Sequence, residues 1–402
     1  MHPSVKPRNS TAINPTVRSL GWVSFFTDLS SEMVYPITPI FLTTILGAPV
    51  WIVGLIEGIA ESTASLLKLY SGWLSDQVGQ RKPFAIAGYG LAALSKPLIG
   101  VAVVWGQVLV ARFLDRVGKG LRAAPRDALI ADHCPANQRG RAFGFHRSMD
   151  TLGSLLGPLV GFGFLLLFPG QFRGLYLLAF APALVSVLVL LLRVQEPRKD
   201  RLERGAWRSL PQFSLHNLSS SYRNYLLITL LFGLGNSSDA FLLLRAQDVG
   251  FDGSQVLLLY AVFNLIEAML ARIVGQFSDR VGRRPLLIAG YLVFSLVYLG
   301  FALVQTPGLI WLLFLGYGMY ETLIHGVQKA LVVDLVHPER RGAEIGTFYM
   351  LSGFVALPAS LLAGFLYTRV AVAAPFLLSA ALAALAALIL STVHLSTQDP
   401  SA

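Results

Sequence analysis

Apolar residues run along the chain in twelve blocks, at 18–44, 51–74, 83–104, 107–131, 142–166, 174–194, 224–245, 254–277, 286–305, 308–332, 344–367 and 373–394. A bilayer core about 30 Å thick takes about 20 apolar residues per helix, and every block is at least that long. The pattern predicts an all-α membrane protein with about 12 transmembrane helices, numbered here helix 1 to helix 12 in that order. The longest polar stretch between blocks, Gln195 to Arg223, holds Pro197, Pro211 and a mixed charge run. It reads as a linker, so the expected organisation is a six-helix bundle with a short tail over 1–194, a linker over 195–223, and a second six-helix bundle with a short tail over 224–402.

The two halves are related. Gly72-x-x-Ser75-Asp76-x-Val78-Gly79 returns about 203 residues later as Gly275-x-x-Ser278-Asp279-x-Val281-Gly282. Ala128-Leu129-x-x-Asp132, followed by Arg139, Gly140 and Gly144, returns as Ala330-Leu331-x-x-Asp334, followed by Arg341, Gly342 and Gly346. Self-similarity at one long period marks a duplicated six-helix unit and predicts two pseudo-symmetric bundles.

Composition agrees with a lipid solvent: 54% of residues are hydrophobic and 13% charged, against about 25% charged in a soluble domain. The net charge of +10 suggests nucleic acid only if the basic residues gather on one water-facing surface. They fall instead in alternate connections: Arg81 and Lys82, Arg139 and Arg141, six between Arg193 and Arg208, then Arg280, Arg283, Arg284, Arg340 and Arg341. With Lys6, Arg8 and Arg18 these make 18 basic residues on one side, against Arg173 and Arg369 on the other. The positive-inside rule then puts the first set and both termini in the cytoplasm of a multi-pass protein of a bacterial plasma membrane. The expected partners are the lipid bilayer, a small-molecule substrate and protons, with no nucleic acid. No cleavable signal follows the polar segment Met1 to Pro15, so the first block is expected to remain as helix 1. The single cysteine, Cys134, excludes an internal disulfide.

The motifs resemble those of the major facilitator superfamily, over nearly the whole chain. Gly72, Asp76, Gly79, Arg81 and Lys82 match its signature between helices 2 and 3, and Gly275, Asp279, Gly282 and Arg284 match the counterpart between helices 8 and 9. The resemblance implies a cytoplasmic gate latch. Its glycines permit a tight turn and close helix approach, its carboxylate is suited to capping a neighbouring helix N-terminus, and its basic pair meets the cytosol. In helix 4, Arg116-x-x-Lys119-Gly120-x-Arg122 is similar to the family's arginine motif, linked to proton coupling, with Lys119 and Arg122 where glutamine and glycine are usual. Gly153-x-x-x-Gly157-Pro158-x-x-Gly161 in helix 5 resembles the motif of proton-coupled exporters, in which small residues four apart let helices pack closely and the proline bends one. Tyr35-Pro36-Ile-Thr-Pro39 in helix 1 is like the proline pair of the twelve-helix drug/proton antiporter branch. The resemblance implies the major facilitator fold and a working monomer, and favours efflux.

Ionisable side chains inside a bilayer cost a few kcal/mol each and are therefore functional candidates. At about 1.5 Å per residue, Asp28 and Glu32 lie about 15 and 21 Å from Arg18, near the middle of helix 1 and on one face. Glu57, Glu61 and Lys68 share a face of helix 2. Helix 4 presents Arg112, Arg116, Lys119, Arg122 and Arg126 as a basic stripe that either attracts an anion or is neutralised by Asp115, Asp127 and the helix-2 glutamates. Helix 7 carries Asn236 and Asp239, helix 8 Glu267 and Arg272, and helix 10 a stripe of Glu321, His325 and Lys329. Asp28, Glu32, Glu57, Glu61, Arg116, Lys119, Arg122, Asn236, Asp239, Glu267, Glu321 and His325 are thus the candidates for binding substrate or the coupling proton. Structural ion pairs and packing hydrogen bonds are the competing explanation for each.

The chemistry points to secondary active transport: proton-coupled export of a small organic molecule, an anion among the options, by alternating access. Uptake of a carboxylate-bearing nutrient or a siderophore stays open beside it. A membrane enzyme has no support, since no His-Glu-x-x-His, Gly-x-Ser-x-Gly or Cys-x-x-Cys is present, and neither metal nor cofactor is expected. A sensor calls for a longer soluble tail than either end provides.

Overall fold

Each apolar block forms helix, and the computed structural model describes residues 13–135, 138–196, 218–336 and 341–395, without the side chains of Leu69, Arg272, Asp279 and residues 341–343. Helix 1 runs over Pro15–Val34, turns at 35–37, and continues as Thr38–Ile40 and a π-helical turn, Phe41–Ile45. Helices 2 to 6 are Val50–Val78, Lys82–Gly100, Trp105–Asp132, Arg139–Leu167 and Phe172–Arg193. Helix 7 is Ser220–Gly235 followed by Ala240–Asp248, and helices 8 to 12 are Gly253–Val281, Arg283–Leu303, Pro307–Leu335, Arg341–Arg369 and Ala374–Thr392. Helices 2, 5, 8, 10 and 11 each have 29 residues. At about 1.5 Å per residue they exceed a 30 Å hydrocarbon core, so their charged ends reach past it.

Local chemistry sets the ends. Pro83, Pro307 and Pro375 lie in first turns, where a missing N–H costs nothing. Asn14 caps helix 1 by accepting from Thr16 N at 2.8 Å. Asp252 accepts from the amides of Ser254 and Gln255 at 2.8 and 2.9 Å, while Gln255 accepts from Asp252 N at 3.0 Å, a reciprocal cap on helix 8. Helix 2 ends at Gly79 and helix 8 at Gly282, with φ of 68° and 93°; these matching glycines of the repeat supply the left-handed turns that other residues resist.

Nine spans pass as membrane crossings on length and apolarity alone, among the described residues. Helices 1, 3 and 4 do not, because charged residues interrupt them: Asp28 and Glu32, Lys96, and the basic stripe. The twelve helices nonetheless pack as two equivalent groups of six. In the first half helix 1 packs on 5 and 6, helix 4 on 2 and 3, and helix 3 on 6; in the second, helix 7 packs on 11 and 12, helix 10 on 8 and 9, and helix 9 on 12. The halves meet through helix 2 with 11, helix 5 with 8, and the short second segments of helices 1 and 7.

Two departures from the sequence expectation follow from polar residues. Helices 1 and 7 are not continuous but break at 35–37 and 236–239, matching places in the repeat. Pro36 removes a backbone donor at the first break, and Asn236, Ser237, Ser238 and Asp239 compete for backbone bonds at the second. The linker also ends earlier than expected, since Ser219 caps helix 7 by accepting from Tyr222 N at 3.2 Å, leaving 220–223 helical. Residues 197–217, the body of that linker, lie outside the described residues.

The two interiors differ in kind. The second half is filled by rings: Phe232 lies 4.4 Å from Tyr291 between centroids, Phe294 3.9 Å from Tyr298 and 4.8 Å from Tyr320. The first half is crossed by ion pairs.

Candidate functional site

Those ion pairs tie helix 4 to helices 2 and 3. Arg112 donates to both oxygens of Glu57 at 2.6 and 2.7 Å, and both side chains are buried. Lys96 meets Asp115 at 2.8 Å and Arg116 meets Glu61 at 3.1 Å. The helix-2 acids therefore face helix 4 rather than Lys68, whose ammonium lies 5.2 Å from the Tyr349 ring in the other half. Arg126 pairs with Asp127 at 2.9 Å. Arg112, Lys96 and Asp115 are members of this network that the list of candidates did not contain; Lys96, a lone cation in an apolar helix, was the available signal.

Close packing places helix 1. A Cβ built on Gly153 would stand 2.5 Å from Phe25 O, on Gly157 2.7 Å from Leu29 O, and on Gly161 2.9 Å from Met33 O. The helix-5 motif thus presses three successive turns against helix 1, and Pro158 lies within the same stretch. Asp28 and Glu32 sit between those contacts, facing the space between the halves.

That space is a cavity of about 690 Å³, lined from helix 1 by Asp28 and Glu32, from helix 5 by Arg147, Asp150, Thr151 and Ser154, and from helix 7 by Asp239. Helix 8 adds Tyr260, Phe263, Asn264 and Glu267, and helix 10 adds Glu321 and His325. Tyr317 donates to Asp239 at 2.6 Å, His325 contacts Glu321, and Arg147 approaches Glu267 at 3.5 Å across the two halves. Asp150, four residues beyond the buried His146 and 3.5 Å from it, joins the lining unforeseen. Six of the twelve candidates thus converge on one cavity: Asp28, Glu32, Asp239, Glu267, Glu321 and His325. Asn236 is not in the lining; it donates to Tyr320 Oη at 3.1 Å within the helix-7 break.

A second, narrower cleft of about 60 Å³ opens between helices 1, 3 and 4 and takes Arg116, Lys119 and Arg122 as well as Asp28 and Glu32. Glu57 and Glu61 stand in the ion network behind it. Helix 2 lies against helix 11 from the far end to past its middle: Trp51 meets Gly364, Gly54 and Gly58 touch Ser360 and Leu357, and Ser62 donates to Gly353 O at 2.7 Å. The cavity is lined towards the end bearing the basic connections.

The repeated motif residues between helices 2 and 3 and between helices 8 and 9 surround that basic end. Arg81 bridges Asp76 at 3.2 Å and Asp132 at 2.5 Å, and Lys82 donates to Leu191 O at 2.9 Å. Among the described residues Asp76 is met by Arg81; residues 337–340, which precede helix 11, lie outside them. The helix-3 N-terminus is capped by Glu196, which accepts from Arg81 N and Lys82 N at 2.8 and 2.6 Å; Asp76 is held by the cation five residues on instead. In the second half Arg283 meets Asp334 at 2.5 Å, and Arg284 donates to Leu390 O and Ser391 O. Gly72 lies against Ala124, whereas among the described residues nothing stands within 4 Å of a Cβ on Gly275. The Asp279 side chain lies outside the described residues.

The family model described as Major Facilitator Superfamily matches residues 20–326 and 225–401. The chain is 33% identical over 388 residues to an uncharacterized MFS-type transporter of Methanocaldococcus jannaschii, covering 95% of this chain and 96% of that one. It is 24% identical over 330 residues to multidrug resistance protein MdtG of Enterobacter lignolyticus, covering 79% and 77%. Among solved structures, nucleoside transporter NupG superposes with a TM-score of 0.77 at 14% identity, over 94% of this chain and 99% of that one.

Proposed function

This chain belongs to the major facilitator superfamily, and on that footing we propose that it exports a small organic cation in exchange for protons. It is a multi-pass secondary transporter and not an enzyme; direction, coupling and cargo are the proposal. The observation that carries it is the wall of the central cavity, where Asp28, Glu32, Asp150, Asp239, Glu267 and Glu321 stand against Arg147 and His325. Carboxylates gathered on one wall repel one another and attract a cation or a proton more strongly than isolated ones do in bulk water. A proton and a cationic cargo then compete for the same acids, which is antiport in its simplest form. At about 690 Å³ the cavity has the size of a small-molecule site, and Tyr260 and Phe263 offer ring faces to a cation.

The positive-inside rule makes the basic end cytoplasmic, with both termini, in a bacterial plasma membrane. Cargo then loads from the cytosol, and rocking of the two halves as a monomer carries it across. The anion considered from the sequence has less support in the large cavity, because three of the helix-4 and helix-3 cations are engaged by Glu57, Asp115 and Glu61. Uptake of a carboxylate-bearing nutrient is favoured by one observation, the narrow cleft with Lys119 and Arg122.

Proteoliposomes with an acid lumen test the reading, with ethidium as cationic probe and a pooled set of carboxylates beside it. Gradient-driven ethidium accumulation, lost in Asp239→Asn and Glu321→Gln, is the expected result. Carboxylate movement without ethidium movement, abolished by Lys119→Gln, transfers the assignment to the uptake reading.

A further inference from the structure

The narrow cleft has an unmet electrostatic demand. Arg112, Lys96 and Arg116 each hold a carboxylate, whereas Lys119 and Arg122 form no ion pair among the described residues. Arg122 is only 8% exposed. Its guanidinium lies over the Tyr89 ring, 4.4 Å from the centroid, and its Nη1 is buried with no hydrogen-bond partner. Arg116 Nε, 3.7 Å from Asp115, is also buried without one. Buried charged donors are ordinarily satisfied, and two unsatisfied N–H groups beside a free ammonium mark a place for an acceptor.

We infer that this cleft binds a small monovalent anion, held by Arg122 Nη1, Arg116 Nε and the Lys119 ammonium. The inference rests on the cleft alone, independent of the direction or cargo of transport. Its volume of about 60 Å³ is several times the ~10–15 Å³ that one water needs on the same measure, enough for a halide or a carboxylate head. The anion's source is either free halide or the acid group of a transported molecule.

The surrounding charges link its binding to a proton. Lys96, Arg112, Arg116, Lys119 and Arg122 are matched in number by Asp28, Glu32, Glu57, Glu61 and Asp115, with Arg126 and Asp150 as a further opposite pair acting on Asp28, so an added anion is favoured when one carboxylate is neutral. Glu32 is that carboxylate. It lines the cleft with a buried Oε2 that has no partner. Lys96 faces it from helix 3, Arg116 and Lys119 from helix 4 and Tyr260 from helix 8; Asp28 lies one turn away on its own helix, with Asp150 facing Asp28 from helix 5. Protonated, Glu32 becomes a fourth donor to the anion. Binding therefore takes up a proton and tightens as pH falls, by up to about tenfold per unit for one linked proton.

The experiment uses the purified full chain in detergent, with bulky sulfonate buffers as the only other anions and ionic strength held constant. Chloride and acetate are titrated separately while the unfolding midpoint and proton uptake, by a pH dye in weak buffer, are followed. A saturable rise of the midpoint with chloride, with proton uptake, identifies free halide as the source. A response to acetate alone identifies an organic acid group. Either response must disappear in Arg122→Gln and in Lys119→Gln; the second variant alters an exposed side chain and keeps the test decisive if the first does not fold. No anion-specific response in the wild type, or equal responses in both variants, overturns the inference.

Discussion

Arg283 Nε and Asp334 Oδ2 stand 2.5 Å apart, 202 residues after Arg81 and Asp132, which form a 2.5 Å pair of their own. Each pair ties the start of one helix to the end of the next. Half-exposed ion pairs contribute about 1 kcal/mol or less. Arg81 is 13% exposed and holds Asp76 as well, whereas Arg283 is 28% exposed. Asp132→Asn is therefore expected to lower thermal stability in detergent more than Asp334→Asn, with both effects shrinking at high salt. Equal losses, or a larger one for Asp334→Asn, contradict this ranking.

Glu57 and Arg112 are expected to act as a unit. Breaking a buried pair costs about 3–5 kcal/mol, less for Arg112 because Asp115 stays 3.7 Å from it, whereas replacing both with apolar residues of similar volume is close to neutral. Glu57→Met should lower stable expression, and Glu57→Met with Arg112→Met should restore a monodisperse protein. If the double variant is no better than the single ones, Glu57 has a role beyond pairing.

The helix 1 and helix 5 contact gives an internally controlled comparison. A methyl on Gly157 would meet Leu29 O at 2.7 Å, while one on Gly163, on the same helix, meets nothing within 4 Å. Overpacking costs about 1–3 kcal/mol. Gly157→Ala should lower both transport and unfolding temperature, and Gly163→Ala neither.

Glu196 caps helix 3 from the far side of helix 6, and loss of a side-chain cap costs about 1 kcal/mol. Hydrogen exchange of the amides at 81–85 is expected to quicken in Glu196→Ala, with the remaining helices unchanged. Unaltered exchange there shows that another acceptor serves these amides.

Helix count, duplication and the glycine ends of helices 2 and 8 were legible in the sequence because each is written in one dimension: apolar block length, repeat spacing, glycine placement. Convergence of Asp28, Glu32, Asp239, Glu267 and Glu321 on one cavity was legible in part, since each is an ionisable residue in an apolar block. Partner choice was not. Glu61 shares a helix face with Lys68, yet it meets Arg116 because helix 2 turns that face towards helix 4, and relative rotation of helices leaves no mark in spacing. Asp150 and Glu196 were passed over for a related reason. Asp150 lies beside a glycine motif whose spacing encodes packing alone, and Glu196 acts across 115 residues of chain.

Two halves of one ancestry are held by different forces, rings in one and ions in the other, and temperature separates them. Hydration of charged groups carries a strongly negative entropy, so the desolvation penalty of buried ions falls on heating. Packed rings receive no such relief. Warming therefore favours the first half relative to the second, and heat should disrupt the carrier first through its aromatic half.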